Sequence, residues 1–376
     1  MNIIGLIAEY NPFHYGHKYQ IDKIKELYPD SIIIAIISTN FTQRGDISII
    51  NKWNKTKICL DNNIDLVVEL PYSYTVESAD IFAKGALAIL NKLKIDTLVF
   101  GTEREDINIL KKLAYTEINN KKFNKKVKDY LDKGLNYPTA LSKALKELTG
   151  YEAKEPNDLL AISYIKEIIK NNYNINPINI KRTIGYHSKD IKNNITSASN
   201  IRELLKNNKS IKKYIPYNEK EYFNTINYDK LFSFLKYNII NNIDNLNDYV
   251  LVEEGIENRI KKYIFKSNTW EELINNIKTK RYTYNRINRM LINILNNYKK
   301  IDHNINDIYI KVLGFNTKGK EYLNSIKKDL NIIHGYKKNI SKILDIEFKS
   351  TCIYSEITND KYLIDLEIKN KPIIIK

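Results

Sequence analysis

The chain has 376 residues, 43% hydrophobic and 28% charged, enough for a buried core and about two domains. This excludes wholesale disorder. Two distant cysteines, Cys59 and Cys352, exclude a disulfide framework, and no apolar run approaches the roughly 20 residues of a membrane span. Residues 1–100 hold 10 basic and 11 acidic side chains, while residues 101–376 hold 50 and 33, so the net charge of +16 arises entirely in the later part. That asymmetry points to a polyanionic partner. A genome skewed toward Lys, Asn and Ile is the competing explanation, but it would have raised Lys in residues 1–100 as well. No basic n-region precedes the first apolar run, so no signal peptide is expected and the thiols read as reduced and cytoplasmic.

Ile3 to Glu9 reads as a strand, followed by a Pro/Gly loop and a helix over His17 to Leu27. Ser31 to Ser38 is a β-branched strand ending in the polar loop Thr39 to Asp46. A helix over Trp53 to Asn62 leads to a third strand at Asp65 to Leu70. A helix over Ser78 to Leu93 leads to a fourth at Asp96 to Phe100. Uninterrupted apolar strands alternating with helices predict a parallel sheet covered on both faces, an α/β Rossmann-like fold. Further on, Lys111 to Lys133 is basic and Asp158 to Ile169 helical, Asn176 to Ile184 reads as a last strand, and Ser199 to Leu205 opens a last helix. A boundary near 208–218 divides the chain into 1–210 and a basic, mainly helical 211–376. In the second part, helices are expected over 228–245, 251–265 and 270–298, and strands over 306–312, 351–356 and 361–368.

A parallel α/β sheet binds ligands outside the carboxyl ends of its strands. There the sequence places Glu9 to His17, Ser38 to Gly45, Glu69-Leu70-Pro71 and Gly101-Thr102-Glu103. The sharpest pattern is His14-Tyr15-Gly16-His17. A strand, a loop with Gly16 and a helix start present backbone N–H groups and a positive dipole end to the crevice. Histidines three apart share a side there and can donate to phosphate oxygens. A zinc pair would need further ligands that no neighbouring Cys or His supplies. Thr196-Ser197-Ala198-Ser199-Asn200-Ile201-Arg202 is a second anion-site pattern: Ser197 or Ser199 caps a helix and Arg202 falls in its first turn. By itself it reads more readily as a plain capped helix, and its pairing with the H-x-G-H loop favours the anion site. Two basic clusters, Lys121, Lys122, Lys125, Lys126 and Lys128, then Lys278, Lys280, Arg281, Arg286 and Arg289 interleaved with Tyr282 and Tyr284, suit phosphates and unpaired bases. Either could equally be a solvated helix face.

Strand, H-x-G-H, parallel α/β units and S-x-[ST]-x-[IL]-R resemble the nucleotidyltransferase superfamily. More closely, Gly5 to His17, Asn40-Phe41-Thr42-Gln43-Arg44-Gly45, Asp65 to Pro71, Phe100 to Glu103 and Pro156-Asn157-Asp158 resemble, in collinear order, the bacterial tRNA(Met) cytidine acetate ligase family. Tyr15 replaces the family's usual Asn and Ser199 its frequent Thr. The resemblance implies activation of acetate by ATP to acetyl-adenylate, then acetylation of N4 of the wobble cytidine of elongator tRNA(Met). It implies an ATP site of Ile7, Ala8, Glu9, Tyr10, Asn11, Pro12, Phe13, His14, Tyr15, Gly16, His17, Lys18, Tyr19 and Gln20, with Gly101, Asn157, Arg182, Ser197 and Ser199. His14, His17, Lys18, Arg202 and the Mg²⁺ of ATP would neutralise the triphosphate. tRNA would meet Lys121, Lys122, Lys125, Lys126, Lys280, Arg281, Arg286 and Arg289. No protein-held metal, membrane or obligate protein partner is expected. A small-molecule adenylyltransferase and a catalytically silent RNA-binding scaffold are the rival readings.

Overall fold

The structure is a computed structural model and describes residues 2–182, 194–303, 306–369 and 371–376. Seven strands form one sheet: β1 (Ile3–Ala8), β2 (Ile32–Ser38), β3 (Leu66–Leu70), β4 (Thr97–Thr102), β5 (Asn176–Lys181), β6 (Val312–Phe315) and β7 (Ile373–Ile374). Their order is β5-β4-β1-β2-β3-β6-β7, parallel except that β6 runs antiparallel to β3. β2, Ile-Ile-Ile-Ala-Ile-Ile-Ser, is buried at every position, as a strand covered on both faces must be. One face is covered by the helices Ala79–Lys92, Ile107–Asn119, Tyr137–Thr149 and Pro156–Lys170, and the other by Tyr15–Leu27 and Lys52–Asp61. The chain reverses its direction across the sheet between β1 and β4. Their carboxyl ends therefore flank the crevice where such sheets bind ligands.

The fifth expected strand ends at Lys181, and its expected last residues Thr183 and Ile184 lie outside the described residues. Beyond residue 211 the helices Tyr228–Asn241, Ile256–Ile264, Trp270–Ile277 and Tyr284–Leu295 share a core with Phe41, Trp53 and Tyr72. The chain then returns to add β6 and β7, so the sheet draws strands from both sides of the expected division at 210.

Three expectations are corrected. Residues 351–356 and 361–368 are not strands but lie in the helices Lys342–Thr358 and Tyr362–Lys369. The buried positions Ile343, Ile346, Ser350, Tyr354 and Ile357 recur every three or four residues, a helical period that a six-residue window misreads. The strand expected at 306–312 instead begins at its end, as β6.

Fully buried charges join these last helices to the sheet. Lys52 Nζ lies 2.7 Å from Glu69, 3.0 Å from Glu347 and 2.5 Å from Glu367, and Lys311 also pairs with Glu367. Burial, and then the neighbouring Glu69 charge, push the Glu347 carboxyl up to about 7. No described helix is long and apolar enough to cross a membrane.

Candidate active site

The site begins where β1 ends. The chain passes Ala8 and Glu9, turns through Tyr10 at φ 45° and a cis Asn11–Pro12 peptide, and buries Phe13 before the helix Tyr15–Leu27. His14 is the N-cap of that helix. Its Nδ1 accepts a hydrogen bond from Gly16 N–H at 3.0 Å, and His17 Nδ1 accepts from His14 N–H at 3.2 Å. The imidazoles stack, with centroids 3.8 Å apart. Both Nδ1 atoms accept, so each neutral ring carries its proton on Nε2 and offers it as a donor. Burial, then the charges of Arg182 and Arg202, push the His14 pKa down to about 3; burial and His14 lower that of His17. Both rings are thus neutral at physiological pH.

This refines the helix-terminus expectation. Tyr15 N–H donates to Tyr214 O, Gly16 N–H to His14 Nδ1 and His17 N–H to His14 O. The first-turn amides are therefore engaged within the chain. The imidazole Nε2–H groups and the arginines are the donors this site can offer an anion.

Those arginines arrive from distant segments. Ser197 caps the helix Ala198–Lys206 by accepting from Asn200 N–H at 3.1 Å, and its hydroxyl lies 3.0 Å from that of Ser199. Arg202, one turn in, donates to Asn11 O at 2.6 Å, which brings the two motifs together; its other nitrogen lies 3.5 Å from Asp46. At the end of β4, Glu103 accepts from Asn157 at 2.6 Å and lies 3.7 Å from Arg182. Arg182 also lies beside Gly101, where an added Cβ would come within 3.4 Å of its side chain.

A cavity of about 630 Å³ joins these groups. Ile7 to Asn11, His14, His17, Gln20, Gly101, Asn157, Arg182 and Arg202 line it. An adjoining pocket of about 40 Å³ is lined by Gly16, Tyr19 and Ser197 together with both histidines. Several expected positions stand apart from both linings. Pro12 and Phe13 belong to the buried turn, Tyr15 is engaged with Tyr214, and Ser199 bonds Ser197. Lys18 pairs along its own helix with Asp22 at 3.2 Å.

The basic clusters separate likewise. Arg281, Arg286 and Arg289 line the cavity's far wall. Arg281 and Arg286 pair with Glu254 at 3.2 and 3.1 Å. Arg289 donates to Gln43 O at 3.3 Å, and burial pushes its pKa down to about 10. Lys280 is exposed on the preceding loop. Lys121, Lys122 and Lys125 are exposed at the helix Phe123–Asp132, where Lys126 pairs with Glu147, and none lines the cavity.

Sequence reasoning named Glu9 and the Asn40 to Gly45 loop but missed the contacts they make, and it missed Asn288. Glu9 accepts from Gln43 N–H at 2.5 Å, and burial raises its pKa. Asn288, positioned by the Trp270 indole at 2.8 Å, donates to Asp46 at 3.2 Å and to Arg44 O at 3.2 Å. Gly45, at φ +80°, lies against the backbone of Asn288 and Arg289, where an added Cβ would meet Arg289 N at 2.7 Å. The Asn40 to Gly45 motif marked this loop, but a motif within one loop does not reveal a contact some 240 residues away. Cys59 is buried and burial raises its thiol pKa, consistent with a core role.

The fold and the imidazole–arginine site are those of a nucleotide-binding α/β protein, and the family model described as HIGH Nucleotidyl Transferase matches residues 1–367. The tRNA(Met) cytidine acetate ligase of Caldicellulosiruptor saccharolyticus is 38% identical, covering 100% of this chain and 99% of that protein. That of Fusobacterium nucleatum is 38% identical over 96% of both. Among solved structures, Thermotoga maritima TmcAL matches over 100% of both chains: the apo form has a TM-score of 0.90 and 25% identity, and the form bound with alpha-thio ATP has 0.86 and 26%. The chain belongs to the tRNA(Met) cytidine acetate ligase family.

Proposed function

We propose that the chain uses ATP to activate acetate and acetylates N4 of the wobble cytidine of elongator tRNA(Met). One observation carries the reading beyond family membership: a single cavity runs from the imidazole pair to Arg281, Arg286 and Arg289, so a nucleotide and an RNA can meet within it. In the first step an acetate oxygen attacks the α-phosphorus, the bond to the β-phosphate oxygen breaks, and pyrophosphate leaves with the electron pair. The Nε2–H donors of His14 and His17 and the Arg202 guanidinium face the charge that builds on the phosphates. Neutral imidazoles suit this, because they donate without a proton equilibrium near neutral pH. Gly101, Asn157 and Arg182 hold the nucleoside. Mg²⁺ would enter as part of the ATP substrate and offset its phosphate charge. In the second step cytidine N4 attacks the acetyl carbon, the bond to AMP breaks, and N4 loses a proton. Residues 1–210 supply the nucleotide chemistry and residues 211–376 most of the RNA contact.

The test is transfer of ¹⁴C-acetate to total bacterial tRNA with and without ATP, for the wild type and His14→Ala. ATP-dependent acetylcytidine that is lost in the variant supports the reading. ATP consumption without labelled tRNA would reassign the acceptor to a small molecule. RNA binding without nucleotide turnover would leave a silent scaffold.

A further inference from the structure

The sequence pairs Tyr282 and Tyr284 with the arginines around them, but the structure gives the two rings different roles. Tyr282 is buried, its hydroxyl donates to Glu254 O at 2.5 Å, and Arg286 covers its ring at 5.4 Å. Tyr284, two residues on, is 39% exposed as the first residue of the helix Tyr284–Leu295, between the cavity-lining residues Thr283 and Asn285. A second ring joins it from another segment. Tyr228 is the first residue of the helix Tyr228–Asn241, which packs on Tyr284–Leu295, and is 61% exposed. Asn288, one turn on from Tyr284, donates to Asp46 at 3.2 Å, and Asp46 lies 3.5 Å from Arg202. Burial, then the nearby Asp46 charge, raises the pKa of both the Tyr228 and Tyr284 hydroxyls, so both rings stand near the Asp46–Arg202 pair at the cavity rim.

Neither ring serves its own helix. The buried face of the first helix is Leu231, Phe232, Leu235 and Ile239, that of the second includes Ile287, Met290, Leu291 and Ile294, and the N-caps are Asn227 and Thr283. Two large aromatic surfaces left in water beside guanidinium groups match the stacking platforms that hold unpaired bases: the rings take the base face, and the cations take the phosphates on either side. A wobble cytidine is unpaired but stacked on its neighbours, so drawing it into a cavity uncovers the face of the adjacent base.

We infer that Tyr228 and Tyr284 form a stacking platform for an unpaired RNA base next to the one that enters the cavity. This deepens the proposed function and rests on RNA being the acetyl acceptor.

The experiment uses the full chain and a synthetic tRNA(Met) anticodon stem-loop with 2-aminopurine beside the reactive cytidine. Wild type, Tyr228→Ala, Tyr284→Ala, Tyr228→Phe and Tyr284→Phe are compared by anisotropy, by quenching of the 2-aminopurine and by KM for tRNA in acetylation. Both alanines replace exposed first-turn residues, so thermal unfolding should match the wild type. Each alanine should weaken RNA binding about tenfold, in line with the loss of one stacked base, with a matching rise in KM and less quenching. Each phenylalanine should bind within about twofold of wild type, since stacking needs the ring and not the hydroxyl. Tyr115→Ala, on the helix Ile107–Asn119 and 61% exposed, is the control. Unchanged binding and quenching in both platform alanines, or an equal loss in Tyr115→Ala, overturns the platform. If wild type acetylates tRNA while the alanines keep its KM, the platform alone falls. If wild type neither binds the stem-loop nor acetylates tRNA, the proposed function falls and takes the platform with it.

Discussion

Replacing Gly16 with alanine separates the stability of the first helix from the geometry of its cap. Gly16 is the second residue of Tyr15–Leu27 and its φ is not positive, so alanine fits the backbone and gains up to about 0.5–1 kcal/mol of helix preference. The new methyl group meets the imidazole that caps the helix, at 2.8 Å from His14 Cε1 and 2.9 Å from Nδ1, with Ile195 at 3.3 Å on its other side. The ring must retreat by more than about half an ångström to reach an ordinary contact of about 3.5 Å. That weakens the bond from Gly16 N–H, worth about 0.5–2 kcal/mol as a cap. Gain and loss nearly cancel, so Tm should stay within about 4 °C of wild type. The Nε2–H donor moves with the ring, and a displacement approaching 1 Å costs on the order of 100-fold in rate. Thermal unfolding and ATP-dependent ¹⁴C-acetate transfer should therefore show a folded protein that is slower by roughly 10- to 100-fold. A near-wild-type rate, or an activity loss that merely tracks a large drop in Tm, would refute the account of His14.

Other expectations follow from the same geometry. Since both imidazoles are neutral well below their usual range, the acetylation rate should show no inflection near pH 6.5; a clear single-proton step there would contradict the donor assignment. The same depression has a stability consequence. Below pH 6.5 the unfolded chain protonates His14 while the folded chain does not until about 3, so stability falls as pH drops through that window. Urea titrations at pH 7, 6 and 5 should show wild type losing up to about 1.4 kcal/mol per unit more than His14→Asn, and parallel curves would count against the buried neutral ring. Lys52→Met leaves Glu69, Glu347 and Glu367 with Lys311 as their one remaining neighbouring cation among the described residues and should cost about 3–5 kcal/mol by denaturant unfolding. Glu347→Gln, which resembles the protonated form of a carboxyl that titrates near 7, should cost less, about 1–3 kcal/mol; the reverse order would refute the charge assignment. Finally, Arg286→Ala should lower the slope of log Kd for tRNA against log salt by about one unit, whereas an unchanged slope would place that arginine outside the RNA contact.

Elements whose side chains obey a local period can be read from the residues alone. The short β-branched run Ile32–Ser38, bounded by polar segments, reads as a doubly covered strand, and His14-Tyr15-Gly16-His17 after Ile3–Ala8 reads as a helix start at a strand end. That is why the α/β class and the helix start at the end of the first strand were legible. Where the period was read over too short a window, at 351–356 and 361–368, it misled. Long-range packing sets which distant groups meet. Arg202 reaches Asn11 O across 191 positions, Asn288 reaches Asp46 across 242, and Lys52 finds Glu347 across 295. It also decided which basic and aromatic residues face the cavity: Arg281, Arg286 and Arg289 do and Lys121 to Lys126 do not, while Tyr282 is buried and Tyr284 exposed. Periodicity is set by backbone geometry within a turn or two, whereas a buried charge or an open ring is set by whichever segment packs above it, and that packing is a property of the whole chain.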